Sequence, residues 1–273
     1  AEATNQLRFD DEVGHHTLRA LHDLAPRDDG RPFLLVASFT HPHDPYVARR
    51  EHWDRYEGVD IPMPRVTADD VAPDDPHSAR LRVAVDQQAR TVTDDHVRAA
   101  RRAYLANVSY VDDWTARIVD TIDALGCADD TVVVLLADHG DMLGERGLWY
   151  KMNFFEGSAR IPLVVHAPGR FAPARVSAPV SLVDVVPTIA ELVGGDLPDE
   201  ALAGRSLVPL CEGTPAAERS VLGEYMAEGS LAPIVMIRRG RWKYVHCAAD
   251  PDQLYDLVAD PDERHDLAAE PAH

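Results

Sequence analysis

A run of apolar, mostly β-branched residues that ends in an acid, an imidazole and a glycine is the feature that most constrains the fold. The run covers residues 131–137 and leads directly into Asp138, His139 and Gly140. Buried parallel strands have such continuous apolar sequences, and they deliver polar side chains to the carboxyl edge of a sheet. Adjacent residues of a strand point to opposite faces, so Asp138 and His139 can bind one ion only if the strand ends there. The alternative is that Asp138 caps a helix, and this motif alone does not distinguish the two.

The remaining pattern alternates apolar strands with amphipathic helices, as in open α/β folds. Strands are predicted at residues 33–39 and 161–166, and helices at residues 11–24, at residues 94–125 and after Ser181, where Asp184 is the predicted cap. Apolar residues of the long helix recur at steps of three and four, and Gly126 occupies the position just past its end. We expect residues 33–39 and 131–137 to share one mainly parallel sheet that this helix covers on one face.

A smaller antiparallel subdomain is predicted near the C-terminus. Residues 234–239 and 242–247 flank Gly240 and Arg241 in the pattern of a β-hairpin. The sequence therefore predicts an α/β domain over residues 1–215, followed by a small antiparallel subdomain over residues 216–273.

Composition excludes several classes of function. A formal charge of −19 argues against binding to nucleic acid or to an anionic membrane surface, although a local cation can still bind a small anion. No run of 18 apolar residues is present, so no membrane-spanning helix is predicted. The three cysteines are dispersed and form no disulfide framework, which favours a reducing compartment and leads us to expect a cytoplasmic protein.

Several blocks of sequence resemble the sulfatase family of the alkaline-phosphatase superfamily, and within it most closely the choline sulfatase branch. The longest block, at residues 143–165, reads LGERGLWYKMNFFEGSARIPLVV. The others are HPHDPY at 41–46, SLVDVVPT at 181–188, GRSL at 204–207, EYMAEG at 224–229 and LYDL at 254–257. The blocks occur in the family's order over nearly the whole chain, so the resemblance implies the family's α/β fold.

The resemblance also implies roles for individual residues. Asp138 and His139 would bind a divalent metal ion; the family commonly has Asp and Asn there with Ca²⁺, whereas an imidazole ligand favours Mn²⁺ somewhat. Lys151 would bind the sulfate, and His43 would contact the sulfate or donate a proton to the leaving oxygen. Glu228 would face the trimethylammonium group of choline. From the residues alone, Lys151 could instead extend from an apolar loop to solvent, His43 could be a loop histidine and Glu228 a surface acid.

The family's nucleophile is a formylglycine made from the Cys or Ser of a C/S-x-P/A-x-R motif, and Cys127, Cys211 and Cys247 do not lie in one. We therefore expect formylglycine in a segment before residue 1, and either that segment or a homo-oligomer to complete the site. The predicted activity is hydrolysis of choline-O-sulfate or a similar small alkyl sulfate ester. The alternatives are a phosphonate or phosphate monoester hydrolase of the same superfamily, and a non-catalytic fragment or subunit.

Overall fold

The structure, a computed structural model, describes residues 4–27, 30–71, 75–89, 91–195, 202–215 and 218–270. These residues form helices α1 (Asn5–Leu24), α2 (Arg50–Asp54), α3 (Pro76–Ala84), α4 (Asp94–Ala124), α5 (Glu156–Ala159), α6 (Val185–Leu192) and α7 (Val208–Cys211). The strands are β1 (Val133–Leu136), β2 (Leu163–His166), β3 (Ser220–Tyr225), β4 (Ile234–Arg239), β5 (Trp242–Cys247) and β6 (Gln253–Asp256). In this part of the chain, no helix is long and apolar enough to cross a membrane.

Contacts divide the chain into two compact units. The first contains Ala1–Met63, Val92–Leu135 and Val164–Arg170, and the second contains Pro64–Thr91, Leu136–Leu163 and Phe171–His273. Each unit is assembled from three separate segments of sequence. The boundary between residues 215 and 216 stays a prediction.

The core of the first unit includes contacts between α1 and α4. Thr4 caps α1 by accepting a hydrogen bond from Leu7 N, so this helix begins before the predicted residue 11. Leu7 packs with Tyr110 and Trp114 of α4. Gly14 is required on α1 because a Cβ there would lie 2.4 Å from Trp114 Cε3. The long helix predicted at residues 94–125 is confirmed as α4, Asp94–Ala124. The acidic residues of its first turn interact favourably with the helix dipole, and Gly126, at φ +71°, follows its end.

The second unit contains a four-stranded antiparallel sheet in the order β3-β4-β5-β6. The predicted hairpin is confirmed as β4 and β5, which pair Met236 with Val245 and turn at Gly240, whose φ is +54°. One face of the sheet is apolar and buried through Ile234, Met236, Val245 and Cys247. The alternation of apolar and polar residues along each strand produces this one-sided core.

The strand predicted at residues 33–39 is absent. The segment shows the alternating exposure of an extended chain, with Leu34 70% and Val36 75% exposed and Leu35 and Ala37 partly buried. An extended segment becomes a strand only when a neighbouring strand completes its hydrogen bonds, and the described residues form no such ladder with it. The two-stranded sheet therefore consists of β1 and β2. Residues 33–39 do not share a sheet with β1, contrary to expectation.

Asp184 occupies the N-cap position of α6, as predicted, but its carboxylate has a different role. A 3₁₀ turn, Leu182–Asp184, leads directly into α6, and Val185 N already donates to Leu182 O. The buried carboxylate of Asp184 instead accepts hydrogen bonds from the backbone amides of Ser181 and Arg205, at 2.9 and 2.8 Å, and from the guanidinium of Arg219. It thus stabilises the loop after Ser181 rather than the first turn of α6.

Candidate active site

Asp138 and His139 lie just beyond the end of β1, where no helix begins, so the helix-cap interpretation of Asp138 is wrong. His139 Nδ1 is 2.8 Å from Gly140 O, and because a carbonyl only accepts, Nδ1 is the donor. This bond orients His139 Nε2 to a position 3.7 Å from Asp138 Oδ2. A backbone carbonyl that holds the other ring nitrogen is the usual arrangement for a metal-binding histidine. The pair therefore fits two ligands of one cation, and no cluster of three or more such ligands occurs among the described residues.

Gly140 fixes the direction of the chain after this pair. Its amide donates to Ser158 O at 2.7 Å, and a Cβ on Gly140 would lie 2.2 Å from Gly157 O. Only glycine allows the two backbones to approach this closely. The loop that carries Asp138 and His139 is therefore held against α5.

Lys151 lies in a loop whose backbone is strained on both sides of it. Tyr150 has φ +65° and Met152 has φ +77°, a left-handed conformation that costs a residue with a side chain on the order of 1 kcal/mol or more. Asp141 Oδ1 accepts hydrogen bonds from Leu143 N and Tyr150 N, at 2.9 and 3.2 Å, and so closes the loop. Strain of this kind persists only where the surroundings hold the backbone, and it concentrates at functional sites.

Glu228 lies in a turn just after β3. Tyr225 donates to Glu228 O at 3.0 Å and contacts Glu228 Oε2 at 3.1 Å. A hydrogen bond from its own backbone amide, the Tyr225 hydroxyl and the positive charge of Lys151 together lower the pKa of Glu228. The second unit therefore brings Lys151 and Glu228 within electrostatic range of each other, although they are far apart in sequence.

His43 belongs to the first unit, in a loop that α1 holds in place. Its Nδ1 is 2.9 Å from Asp44 O, and Gln6 of α1 donates to the same carbonyl at 3.0 Å. Asp10 of α1 accepts from the backbone amides of Thr40 and His41, at 2.8 and 2.9 Å. Convergence of His43 with Lys151 on one substrate stays a prediction.

His41 is a buried histidine that pairs with an acidic side chain of α1. It is 4% exposed, and its Nδ1 lies 2.6 Å from the buried carboxylate of Asp10. Burial opposes ionisation of Asp10, but hydrogen bonds from His41 and from two amides keep the pKa of this acid below its ordinary value. His41 is therefore a structural partner of α1.

Sequence reasoning missed His77 and Arg80 on α3. His77 Nε2 is 2.7 Å from Met152 O, next to Lys151, and His77 Nδ1 is 3.3 Å from Gly229 O, next to Glu228. Arg80 Nε donates to Gly229 O at 2.6 Å, and its guanidinium pairs with Asp250. No spacing rule points to these contacts, since they join α3 to carbonyls 75 and 152 residues further along the chain.

The sulfatase family profile matches residues 4–195, and a second profile, N-sulphoglucosamine sulphohydrolase, C-terminal, matches residues 144–273. The chain belongs to the sulfatase family. It is 50% identical over 262 residues to a choline-sulfatase of Rhizobium meliloti (strain 1021), which covers 94% of this chain and 51% of the relative. It is 31% identical over 271 residues to the multifunctional alkaline phosphatase superfamily protein PehA of Trinickia caryophylli, covering 88% and 52%.

Among solved structures, the phosphonate monoester hydrolase SpPMH of Silicibacter pomeroyi matches with a TM-score of 0.81 and 25% identity. The match covers 99% of this chain and 57% of that one. The predicted fold class is thereby confirmed as alkaline-phosphatase-like α/β with a small antiparallel sheet. The chain spans about half the length of the curated relatives it matches. Members of the sulfatase family generally use a divalent metal and formylglycine.

Proposed function

We propose that the full-length protein is a sulfuric ester hydrolase whose substrate is a small alkyl sulfate with a positive charge, such as choline-O-sulfate. The observation that carries this proposal is that Lys151 and Glu228 lie in one unit, close enough for the positive charge of Lys151 to act on the carboxylate of Glu228. An ammonium group binds the sulfate, while a carboxylate balances a quaternary ammonium, which has no hydrogen to donate. The choline-sulfatase of Rhizobium meliloti supports the same substrate.

Each residue then has a defined task. Lys151 Nζ donates hydrogen bonds to the sulfate oxygens and neutralises part of the negative charge that develops on them. An alkoxide is a poor leaving group, so His43 transfers a proton to the departing oxygen. Because His43 Nδ1 is bonded to Asp44, we assign this transfer to Nε2.

Asp138 and His139 would hold the divalent ion, Ca²⁺ or Mn²⁺, together with ligands from outside these 273 residues. When bound, this ion would neutralise charge on the sulfate. The nucleophile is the family's formylglycine, also outside these residues, because no cysteine of this chain lies in the required motif. Completion of the site by a further segment or by an oligomer, and a cytoplasmic location, remain predictions.

The test compares two esters of nearly the same shape in the full-length protein. In 3,3-dimethylbutyl sulfate a carbon replaces the positive nitrogen of choline-O-sulfate. The Glu228→Gln variant should raise KM for choline-O-sulfate roughly two- to five-fold, the range of a cation interaction at an exposed site, and leave KM for the ester with the uncharged alkyl group unchanged. Glu224→Gln is the matched control, since Glu224 is an exposed glutamate on β3. Equal turnover of both esters by the unmodified protein would refute the proposal.

A phosphonate monoester hydrolase is the second candidate function. It is favoured by the structural similarity to the Silicibacter pomeroyi enzyme and by His139, which the phosphonate monoester hydrolase branch shares with choline sulfatases. Such an enzyme needs no carboxylate at the position of Glu228. A kcat/KM for a phenyl phosphonate monoester above that for choline-O-sulfate, unchanged by Glu228→Gln, would select this function.

A further inference from the structure

His77 lies between the segments that carry Lys151 and Glu228, and it has no role in the proposed reaction. It belongs to α3, which begins with Pro76 and is capped by Asp75 through a hydrogen bond from Ser78 N at 2.9 Å. The imidazole is 9% exposed and packs edge-on against Tyr225, with ring centroids 5.9 Å apart. Tyr225 is also the residue whose hydroxyl bonds Glu228.

Both ring nitrogens of His77 face main-chain carbonyls. Nε2 lies 2.7 Å from Met152 O and Nδ1 lies 3.3 Å from Gly229 O. Because a neutral imidazole carries one N–H and a carbonyl only accepts, the hydrogen bond is assigned to the shorter contact, from Nε2 to Met152 O, and Nδ1 packs beside Gly229 O. Met152 directly follows Lys151, and Gly229 directly follows Glu228. The imidazole therefore joins the two backbone segments from which the two charged side chains extend.

The two segments differ in the support that they need. Met152 has φ +77°, a left-handed conformation that is unfavourable for a residue with a side chain, whereas Gly229 at φ +76° adopts a conformation that glycine allows without strain. The Gly229 carbonyl accepts from Arg80 of α3 at 2.6 Å, and the His77 ring packs beside it. The Met152 carbonyl receives its bond from His77 at a distance typical of a strong hydrogen bond.

We propose that His77 is a positioning residue that fixes the separation of Lys151 and Glu228, and thereby sets the preference for sulfate esters that carry a positive charge. This inference rests on the proposed function and deepens it. A substrate with two charges at a fixed spacing gains from both contacts only if the protein charges keep a matching spacing. A sulfate ester whose alkyl group has no positive charge depends on the Lys151 side alone.

Two variants separate the two contacts of His77. In His77→Gln the side-chain amide reaches the position of Nε2 and keeps the bond to Met152 O, but the ring against Tyr225 is lost. His77→Phe keeps the ring against Tyr225 and loses the bond to Met152 O. His77→Asn loses both, because its shorter amide does not reach Met152 O.

The full-length variants are assayed with choline-O-sulfate and 3,3-dimethylbutyl sulfate. We expect His77→Gln to raise KM for choline-O-sulfate about three-fold or more, the size of one edge-on aromatic contact, because Tyr225, which bonds Glu228, loses the ring packed against it. Its kcat, and its kcat/KM for the ester with the uncharged alkyl group, should stay within two-fold of the unmodified protein. His77→Asn and His77→Phe should lower kcat/KM for both esters about three- to ten-fold, because Lys151 itself shifts.

Asp75→Ala is the matched control for a purely structural role. It removes the cap of α3 and lowers stability but touches neither carbonyl, so the ratio of kcat/KM for the two esters should not change. The inference is overturned if His77→Gln gives the same ratio as the unmodified protein, if His77→Phe lowers kcat/KM for neither ester, or if Asp75→Ala changes the ratio as much as His77→Gln does. If the unmodified protein shows no preference for choline-O-sulfate, the proposed function fails first, and this inference fails with it.

Discussion

Lys243 offers the sharpest test of how the second unit holds the loop of Lys151. Its side chain is 1% exposed, and Nζ lies 2.7 Å from Phe154 O, 2.9 Å from Glu156 Oε1 and 2.5 Å from Glu263 Oε1. The contact with Glu263 is an ion pair that lacks hydrogen-bond alignment. Lys243 is on β5, whereas Phe154 and Glu156 directly follow the Lys151 loop, so this one charge joins the sheet to the site.

Replacing Lys243 with methionine leaves the Glu263 carboxylate buried without its cation. Removing one partner of a buried ion pair costs about 3–5 kcal/mol, so we expect the free energy of unfolding to fall by about that amount at neutral pH. Glu263 Oε2 still accepts from Glu156 N at 2.7 Å, which places the expected loss near the lower end of that range.

The loss should depend on pH in a defined direction. Burial raises the pKa of Glu263, and the nearby Lys243 partly offsets this. Above the ordinary pKa of a glutamate, the unfolded chain therefore releases this proton before the folded chain does, and stability falls as pH rises. Lys243→Met removes the offset, so the variant should be destabilised less at mildly acid pH, where Glu263 takes up a proton, than at neutral pH.

Urea unfolding of the full-length protein, followed by circular dichroism, measures these differences. The double variant Lys243→Met/Glu263→Gln should recover about 2 kcal/mol or more relative to Lys243→Met, because no buried charge remains unpaired. Arg239→Met is the control, since its pair with Glu218 is largely exposed and screened by solvent, and its loss should leave the free energy of unfolding nearly unchanged. A loss below about 1 kcal/mol for Lys243→Met, or no recovery in the double variant, would refute the reasoning.

Three further outcomes are expected. Gly140→Ala places a Cβ against Gly157 O and should displace the site slightly. We expect metal content and kcat of this variant to fall by about ten-fold or more. Gly195→Ala, whose Cβ meets no such contact, is the control and should leave both unchanged. Asp138→Ala should abolish metal retention by the full-length protein, and unchanged stoichiometry in elemental analysis would contradict the ligand assignment. The 273-residue chain expressed alone should give no multiple turnover of choline-O-sulfate or an aryl sulfate, because it contains no formylglycine motif; turnover that Lys151→Ala abolishes would place the nucleophile within it.

Sequence patterns correctly predicted the helices and turns whose conformation depends mainly on neighbouring residues. The 3.6-residue periodicity and Gly126 defined α4, and the alternation around Gly240 defined the β4–β5 hairpin, because helix caps and turns depend on neighbouring residues. The apolar run at residues 33–39 has the composition of a strand, but whether it pairs depends on a neighbour that sequence pattern does not reveal.

In the candidate site, too, sequence patterns indicated some residues and not others. Asp138, His139 and Gly140 are adjacent in sequence, so their chemistry was visible as a motif. His77 contacts backbone carbonyls, which every residue has, so no residue type in the sequence indicates these contacts. Composition did contain one unused signal: Lys151 and Lys243 are the only lysines of the chain, beside 25 arginines. Lys243 lies where the buried acid Glu263 requires a compact positive charge, and the proposed function gives Lys151 a similar task.

The strained loop before the Lys151 position shows why these supporting contacts matter for chemistry. Arg146, itself at φ +55°, is buried, donates to Glu263 O at 2.7 Å and lies 4.0 Å from the ring centroid of Phe155. Glu145 Oε2 accepts from the backbone amides of Arg65 and Val66. Such contacts offset the free-energy cost of the left-handed backbone conformations, so the loop keeps its shape before any ligand binds. A lysine that is already in place loses little entropy on meeting a sulfate, and more of its interaction energy then remains to stabilise the transition state.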